Sequence, residues 1–224
     1  MNMTTKNTIL SIVNIFETGT ALGRYDDVAI FKDGPGGKPQ VTYGRSQVTE
    51  HGGLKELLQL YCNKDGAMYK HMLDFYIPLV GKGSLWDNKK FIYMLEDCGR
   101  TDPIMAEAQN EFFEKRYFTP AEMFYLANGF TLPLSLLVIY DSFIHSGSVP
   151  MFLRKRFPEK TPKYGGKERA WVESYLHIRH EWLKNHQMGA LRTSRYRTHA
   201  ILDLIEDDNW QLNLPIVSHG VTLE

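Results

Sequence analysis

The sequence has little cysteine, no net charge and no long apolar run, and each shortage excludes a class of protein. Its only two cysteines, Cys62 and Cys98, lie too far apart for a disulfide-rich scaffold or a zinc motif, and we expect buried free thiols in preference to a disulfide. Lysine plus arginine equals aspartate plus glutamate at 26 each, which argues against a dedicated nucleic-acid binder. No stretch approaches the roughly 20 apolar residues that a membrane-spanning helix needs.

Repeats, low-complexity segments and Pro- or Ser-rich linkers are also missing, which favours one domain over residues 1–224. With 43% hydrophobic residues in 224, the chain can bury a sizeable core. The first six residues lack the features of a secretory signal peptide, because the apolar run after them is interrupted at helical spacing.

The first apolar segment predicts a helix with a carboxylate in its last turn. Apolar residues recur at i, i+3, i+4 and i+7, namely Ile9, Ile12, Val13 and Phe16. Gly19 is placed to end the helix. Glu17 would then meet the negative end of the helix dipole and the apolar surface of Phe16, and both favour its protonated form. Glu17 is therefore a candidate general acid, with a solvated helix-end glutamate as the alternative.

A hairpin with a second carboxylate follows. Residues 28–31 and 40–43 are β-prone, and the segment between them is rich in turn formers, with Asp33 directly before Gly34. Two carboxylates on separate elements, facing one gap, are what the hydrolysis of a glycosidic bond requires. The alternative for Asp33 is a simple turn former, and Asp26 and Asp27 compete with it for a catalytic role.

The rest of the chain is predicted to be mainly helical. Asp102-Pro103 is a typical helix start, Thr119 to Glu122 has the pattern of a capping box, and the most apolar helix carries Asp141. We expect helices over residues 54–61, 67–76, 86–98, 103–117, 119 onward, 132–145, 167–184 and 194–207, and then an extended tail. His145 is expected to be a helix-end residue with no companions for a metal site.

These features, in this order, resemble the lysozyme-like superfamily and, within it, the family 46 chitosanases. The resemblance covers roughly residues 9–223, and its further motifs are Asp102-Pro103, Ala108-Gln109, Tyr117-Phe118-x-Pro120-Ala121, Tyr140 to Gly147, Gly165-Gly166, Thr193-Ser194-Arg195 and Asn209-Trp210-x-Leu212-x-Leu214-Pro215. It implies an α+β, mostly α, two-lobed lysozyme-like fold with a small β-hairpin beside the cleft.

The resemblance also implies a mechanism. Glu17 is similar to the general acid of these inverting enzymes, Asp33 to the base that activates water, and Thr42 to the residue that helps to hold that water. No metal and no cofactor are implied. The remaining site residues fall in two groups. The first is an ionic relay that orients the acid, formed by Asp141, Arg179 and Arg195, for which a purely stabilising network is the alternative. The second group consists of candidate sugar contacts beside the catalytic stretch, which are Tyr25, Tyr43, Gly44 and Arg45.

Two departures from the family pattern concern the substrate. The family's acidic residue after the catalytic threonine corresponds here to Gly53, and acidic positions within 180–194 are altered. Because the loss of counter-charges weakens the binding of a cationic sugar, a muramidase-like enzyme acting on peptidoglycan stays open beside a chitosanase. A basic run over 154–169 could attract an anionic polymer. A non-catalytic glycan-binding protein on this scaffold is a further alternative.

The expected partner is therefore a polysaccharide, chitosan or the glycan strands of peptidoglycan, with no nucleic acid and no membrane insertion. Without a signal peptide, we expect synthesis in the cytoplasm and action on the cell wall or an extracellular polymer after lysis or non-classical export. An immunity protein is expected if the chain is a secreted antibacterial effector.

Overall fold

The computed structural model describes residues 3–45, 47–82 and 85–224. The fold is α+β and mostly helical, as predicted. The helices are α1 Met3–Thr18, α2 Leu54–Cys62, α3 Lys70–Asp74, α4 Lys89–Thr101, α5 Pro103–Phe113, α6 Thr119–Ala127, α7 Pro133–Ser146, α8 Met151–Arg154, α9 Glu168–Lys184, α10 Gly189–Thr193 and α11 Arg195–Glu206. The strands are β1 Val28–Phe31, β2 Gln40–Tyr43, β3 Val48–Thr49, β4 Ile216–Ser218 and β5 Val221–Leu223. None of the described helices is both long and apolar enough to cross a membrane.

The chain divides into two compact units. The central unit is Glu17–Glu114, and the terminal unit combines the chain up to Phe16 with the chain from Lys115 onward. Both units contain buried hydrophobic side chains, for example Leu57 and Phe91 in the central unit and Leu137 in the terminal unit.

The core of the terminal unit is built around α7. This helix is apolar on nearly all sides, and every residue from Leu134 to Ser142 is buried, as expected for a helix surrounded by others. The predicted stripe of α1 is buried in the same core, together with Trp171 and Tyr175 of α9. Asp141 is therefore an ionisable group inside an apolar core, where it requires partners.

The central unit contains a three-stranded antiparallel sheet in the order β1-β2-β3. Ala29 of β1 pairs with Thr42 of β2, and Thr42 pairs with Thr49 of β3. The two strands of the predicted hairpin thus occur at the predicted residues. The side chain of Asp102 accepts a hydrogen bond from Ile104 N at 3.0 Å, which confirms it as the N-cap of α5.

The thiols of Cys62 and Cys98 are both free and buried, as expected. Burial raises the pKa of each to about 12, with the carboxylate of Asp74 a further cause for Cys62. Both thiols are therefore neutral at physiological pH and poor nucleophiles.

Two local predictions are wrong. The capping box at Thr119 is absent, because a π-helical turn, Glu114–Phe118, leads directly into α6 and its N-cap position is Phe118, without a capping side chain. The tail is not simply extended, because β4 and β5 form an antiparallel hairpin.

Candidate active site

Glu17 lies in the last turn of α1, where the sequence predicts it. The helix ends at Thr18, and Gly19 follows with a φ of +72°. The Glu17 side chain is half-buried, and Phe16 before it is buried in the core of the terminal unit. The carboxylate therefore projects from a rigid element, as a proton donor to a bound substrate requires.

Asp33 lies in the turn between β1 and β2 and is exposed. Its Oδ1 accepts a hydrogen bond from Gln40 Nε2 at 2.9 Å, and Gln40 Oε1 accepts one from His51 N at 3.2 Å. Gln40 is buried, so the sheet fixes the amide that orients Asp33. No pattern in the sequence indicates this contact. The catalytic role of Asp33 stays a prediction, as does the alternative of a turn former.

Thr42 is buried in the centre of β2, and its hydroxyl has two acceptors within reach. Thr42 Oγ1 lies 3.0 Å from Ala29 O and 2.8 Å from Gln47 Oε1. The orientation of the Gln47 amide is fixed because its Nε2 donates to Asp27 Oδ2 at 2.9 Å and to Gly44 O at 3.2 Å. Asp27 therefore anchors this turn, and the water-holding role of Thr42 stays a prediction.

Two of the four candidate sugar contacts come together through Asn110. The Tyr25 hydroxyl donates to Asn110 Oδ1 at 3.0 Å, and Arg45 Nη1 donates to the same oxygen. Arg45 is only 6% exposed, and its guanidinium lies 5.5 Å from the centre of the Phe113 ring. Arg45 therefore positions its neighbours more than it presents charge to a ligand.

The prediction for Tyr43 as a direct sugar contact is wrong. Its side chain is 0% exposed, and burial raises its pKa well above the ordinary value. All four residues of β2 are buried, because β2 is the middle strand of the sheet and both of its faces are covered. A ring buried in this way cannot stack on a sugar.

Gly44 has a structural reason to be glycine. Its φ is +78°, and a Cβ atom there would lie 2.2 Å from Gln109 Oε1. The Gln109 amide cannot move away, because it accepts from Arg45 N at 3.0 Å and donates to Tyr25 O at 2.7 Å. Gly44 therefore lets this amide tie together the two segments that flank the hairpin.

We expect Gly44→Ala to lower the free energy of unfolding by roughly 2–4 kcal/mol, since backbone strain and overpacking add. The measurement is urea denaturation followed by circular dichroism. Gly36→Ala is the matched control, because Gly36 also has a positive φ, +69°, but a Cβ added there would meet no atom within 4 Å. Equal losses in the two variants would contradict the close contact with Gln109.

The terminal unit contains a buried ionic network centred on Asp141. Arg179 Nη1 donates to Asp141 Oδ2 at 2.6 Å, and Arg197 donates to Asp141 Oδ1 from Nε at 2.8 Å and from Nη2 at 2.5 Å. Burial alone would raise the pKa of Asp141, but Arg197 and Arg179 outweigh it and hold that pKa well below its usual range. Asp141 is therefore ionised at physiological pH.

The prediction that Arg195 is the third member of this network is wrong. Arg195 is exposed at the start of α11, whereas Arg197 is buried and bonds to Asp141. Residues two positions apart on a helix point roughly 200° apart, so only one of the two arginines can face the core. The buried stripe Arg197, Ile201 and Leu204 has i, i+4, i+7 spacing, and this signal in the sequence identifies the correct residue.

Arg197 also contacts the end of α1. Its guanidinium lies 5.2 Å from the centre of the Phe16 ring, and the Tyr196 hydroxyl donates to Phe16 O. Phe16 directly precedes Glu17 in the chain. The network therefore packs against the ring of the residue before Glu17, and its role in orienting the acid stays a prediction.

His145 lies one turn after Asp141 and is half-buried. Burial, Arg179 and Arg197 lower its pKa to about 4, so the imidazole is neutral at pH 7. The Nδ1 atom has no hydrogen-bond partner among the residues that the structure describes. Protonation of this ring would add a third positive charge to the network.

We expect His145 to make the protein less stable in mild acid. Between about pH 4 and pH 6.5 the unfolded chain binds a proton at His145 that the folded chain does not, so the free energy of unfolding rises with pH, by at most about 1.4 kcal/mol per unit. His145→Gln should flatten this slope in urea denaturation series from pH 4 to pH 7. The exposed His177→Gln serves as the control, and an unchanged slope in His145→Gln would contradict the assignment.

The sequence does not indicate the contacts of the amide side chains that organise the central unit. Gln40 orients Asp33, and Gln47 orients Thr42. Gln109 holds the backbone of Arg45, and Asn110 holds its guanidinium. Among residues 3–45, 47–82 and 85–224, no three His, Cys, Asp or Glu side chains form a group that could hold a metal ion.

Several known proteins are similar to this chain in sequence and in fold. The chitosanase of Bacillus subtilis (strain 168) is 25% identical over an alignment of 244 positions, which covers 96% of this chain and 82% of the relative. The family 46 chitosanase of Gynuella sunshinyii, solved in complex with chitotetraose, is 22% identical with a TM-score of 0.84 over 100% of this chain and 98% of that one. The native chitosanase of Bacillus subtilis MY002 is 23% identical with a TM-score of 0.81 over the full length of both chains.

A family model supplies the stronger result. The model of glycosyl hydrolase family 46 matches residues 11–216, which include Glu17, the whole hairpin and the buried network. The match spans most of the chain. The protein is a glycosidase, and it belongs to glycosyl hydrolase family 46.

Proposed function

We propose that this protein hydrolyses β-1,4 bonds at internal positions of the chitosan polymer, with inversion at the anomeric carbon. The observation that carries the proposal is the pair of carboxylates in the central unit: Glu17 at the end of a rigid helix, and Asp33 held by a buried amide in an exposed turn. Both lie inside the segment that matches the family.

Each carboxylate has one task in this mechanism. Protonated Glu17 donates its proton to the glycosidic oxygen as the bond to the anomeric carbon breaks. Asp33 removes a proton from a water molecule, which attacks that carbon from the opposite face. The amide of Gln40 occupies Oδ1 of Asp33, which leaves Oδ2 for the water. Solvent then restores the proton to Glu17 and removes it from Asp33, so the cycle needs no cofactor.

Chitosan is favoured as the substrate by the relatives, whose names state chitosanase activity. The aspartate that the family pattern places at Gly53 could not fit here, because a Cβ at Gly53 would lie 2.8 Å from Phe112 Cζ and 3.2 Å from Val48 Cγ1. Amino-group recognition must therefore use other carboxylates. Glu50 is a candidate, since it is buried at the edge of a cavity of about 330 Å³ and its Oε1 has no partner among the described residues.

The test is a two-substrate assay. Purified protein is given chitosan of low acetylation and, separately, purified peptidoglycan, with Glu17→Gln as the inactive variant. Glu206→Gln is the matched control, because Glu206 also ends a helix but is exposed in α11. Release of glucosamine oligomers from chitosan, lost only in Glu17→Gln, supports the proposal. Release of muropeptides alone would overturn the substrate, and an inactive protein that still binds polymer would overturn the enzymatic role.

A further inference from the structure

The terminal unit contains a cavity of about 430 Å³ that none of the candidate catalytic residues lines. Its walls combine aromatic side chains with polar and charged ones, among them Phe124, Tyr164 and Trp171, and Arg154, Lys160 and Thr161. This volume and this mixture are typical of sites for small molecules.

Two of the lining side chains have buried polar atoms without a partner. Trp171 is 0% exposed and Thr161 is 7% exposed, yet Trp171 Nε1 and Thr161 Oγ1 make no hydrogen bond within the described part of the chain. An indole N–H can only donate, and a buried donor without an acceptor is destabilising. Both side chains line the same cavity, so an acceptor group placed against them would satisfy the two buried polar atoms.

The loop that forms one wall is fixed in place. Arg154 donates to Phe157 O at 2.9 Å and to Glu159 O at 2.7 Å, and Glu159 Oε1 accepts from Lys167 N at 2.6 Å. Gly166 packs so closely on the loop that a Cβ there would lie 1.7 Å from Lys160 O. The cavity is therefore preformed, which lowers the entropic cost of binding.

The charge around the cavity is positive. The segment from residue 151 to residue 169 carries seven lysines and arginines but only two glutamates, Glu159 and Glu168. Both glutamates already bind backbone N–H groups, Glu159 that of Lys167 and Glu168 those of Thr131 and Leu132. An anion is favoured at this position, and a cationic amino sugar is disfavoured.

We propose that this cavity binds a small carboxylate with an aromatic or branched apolar body. The carboxylate accepts hydrogen bonds from Trp171 Nε1 and Thr161 Oγ1, close to the charges of Arg154 and Lys160. The apolar body packs against the rings of Phe124 and Tyr164. This site is separate from the catalytic carboxylates and takes a ligand of the opposite charge to chitosan.

The experiment uses the ¹⁵N-labelled full chain and follows its indole N–H signals by NMR. Trp171→Phe assigns the Trp171 signal among those of the four tryptophans. Three probes of similar shape are titrated: phenylacetate, the neutral phenylacetamide and the cationic phenethylamine. We expect phenylacetate to move the Trp171 signal saturably, phenylacetamide to bind more weakly, and phenethylamine to leave the signal unchanged.

Two variants separate the contacts from general effects on folding. Thr161→Val should weaken phenylacetate binding about fivefold, the effect of one hydrogen bond, whereas the exposed Thr193→Val should not. Lys160→Gln, a change at an exposed side chain, should weaken phenylacetate but not phenylacetamide. The proposal is overturned by an unmoved Trp171 signal at millimolar phenylacetate, by equal binding of all three probes, or by unchanged affinity in both Thr161→Val and Lys160→Gln.

Discussion

Replacing Glu17 by glutamine is expected to lower kcat on chitosan by about 10³-fold, with KM changed little. Glutamine keeps the shape of the side chain and its place at the end of α1, but it cannot donate a proton to the leaving oxygen. The expected loss falls on kcat because proton transfer contributes only in the transition state. Steady-state kinetics by reducing-end release measure it, with circular dichroism to show that the fold is retained.

Asp33→Asn should cause a loss of similar size, because the attacking water then lacks its base. Asp27→Asn is the matched control, since Asp27 lies on the same hairpin but its Oδ2 accepts from Gln47 and its side chain pairs with Arg24. A well-folded Asp33→Asn with near wild-type turnover, or a larger loss in Asp27→Asn than in Asp33→Asn, would move the role of base to another residue.

The second large effect concerns stability. Asp141→Asn should lower the free energy of unfolding by roughly 3–5 kcal/mol, because it leaves two buried guanidinium groups without their carboxylate. Arg179 is 0% exposed and Arg197 is 3% exposed, so solvent cannot replace the lost charge. For a chain of this size the loss corresponds to a fall in Tm of roughly 6–20 °C. Thermal and urea denaturation both measure it.

Arg195 and Arg197 form the matched pair for this network. Arg197→Gln should destabilise the protein by several kcal/mol, whereas Arg195→Gln should change the free energy of unfolding by no more than about 0.5 kcal/mol. Comparable losses in the two variants would contradict the register of α11. Since Arg197 packs on Phe16, a lower kcat in a still-folded Arg197→Gln would add a role in orienting Glu17.

The elements that carry the candidate catalytic carboxylates could be predicted because their signals are local. The apolar spacing before Phe16 specifies the helix and its end at Gly19, and the turn-rich segment around Asp33 specifies the hairpin. The strands at 28–31 and 40–43 match the structure residue by residue.

The rest depends on contacts between distant parts of the sequence. Nothing local indicates that Gln109 would reach Gly44, or that both faces of β2 would be covered so that Tyr43 is buried. The resemblance to the family predicts Arg195 as the partner of Asp141, whereas the burial pattern of its helix indicates Arg197. The network itself could be anticipated, because an ionisable Asp141 on an apolar helix has to be paired.

The stereochemistry of the first product tests the central claim most directly. Chitosan oligomers are hydrolysed in an NMR tube, and the anomeric proton of the new reducing end is recorded before mutarotation equilibrates it. With Glu17 as acid and Asp33 as the base of an attacking water, the α-anomer appears first and the β-anomer follows. The β-anomer appearing first would require a covalent intermediate on a carboxylate and would contradict the assigned roles.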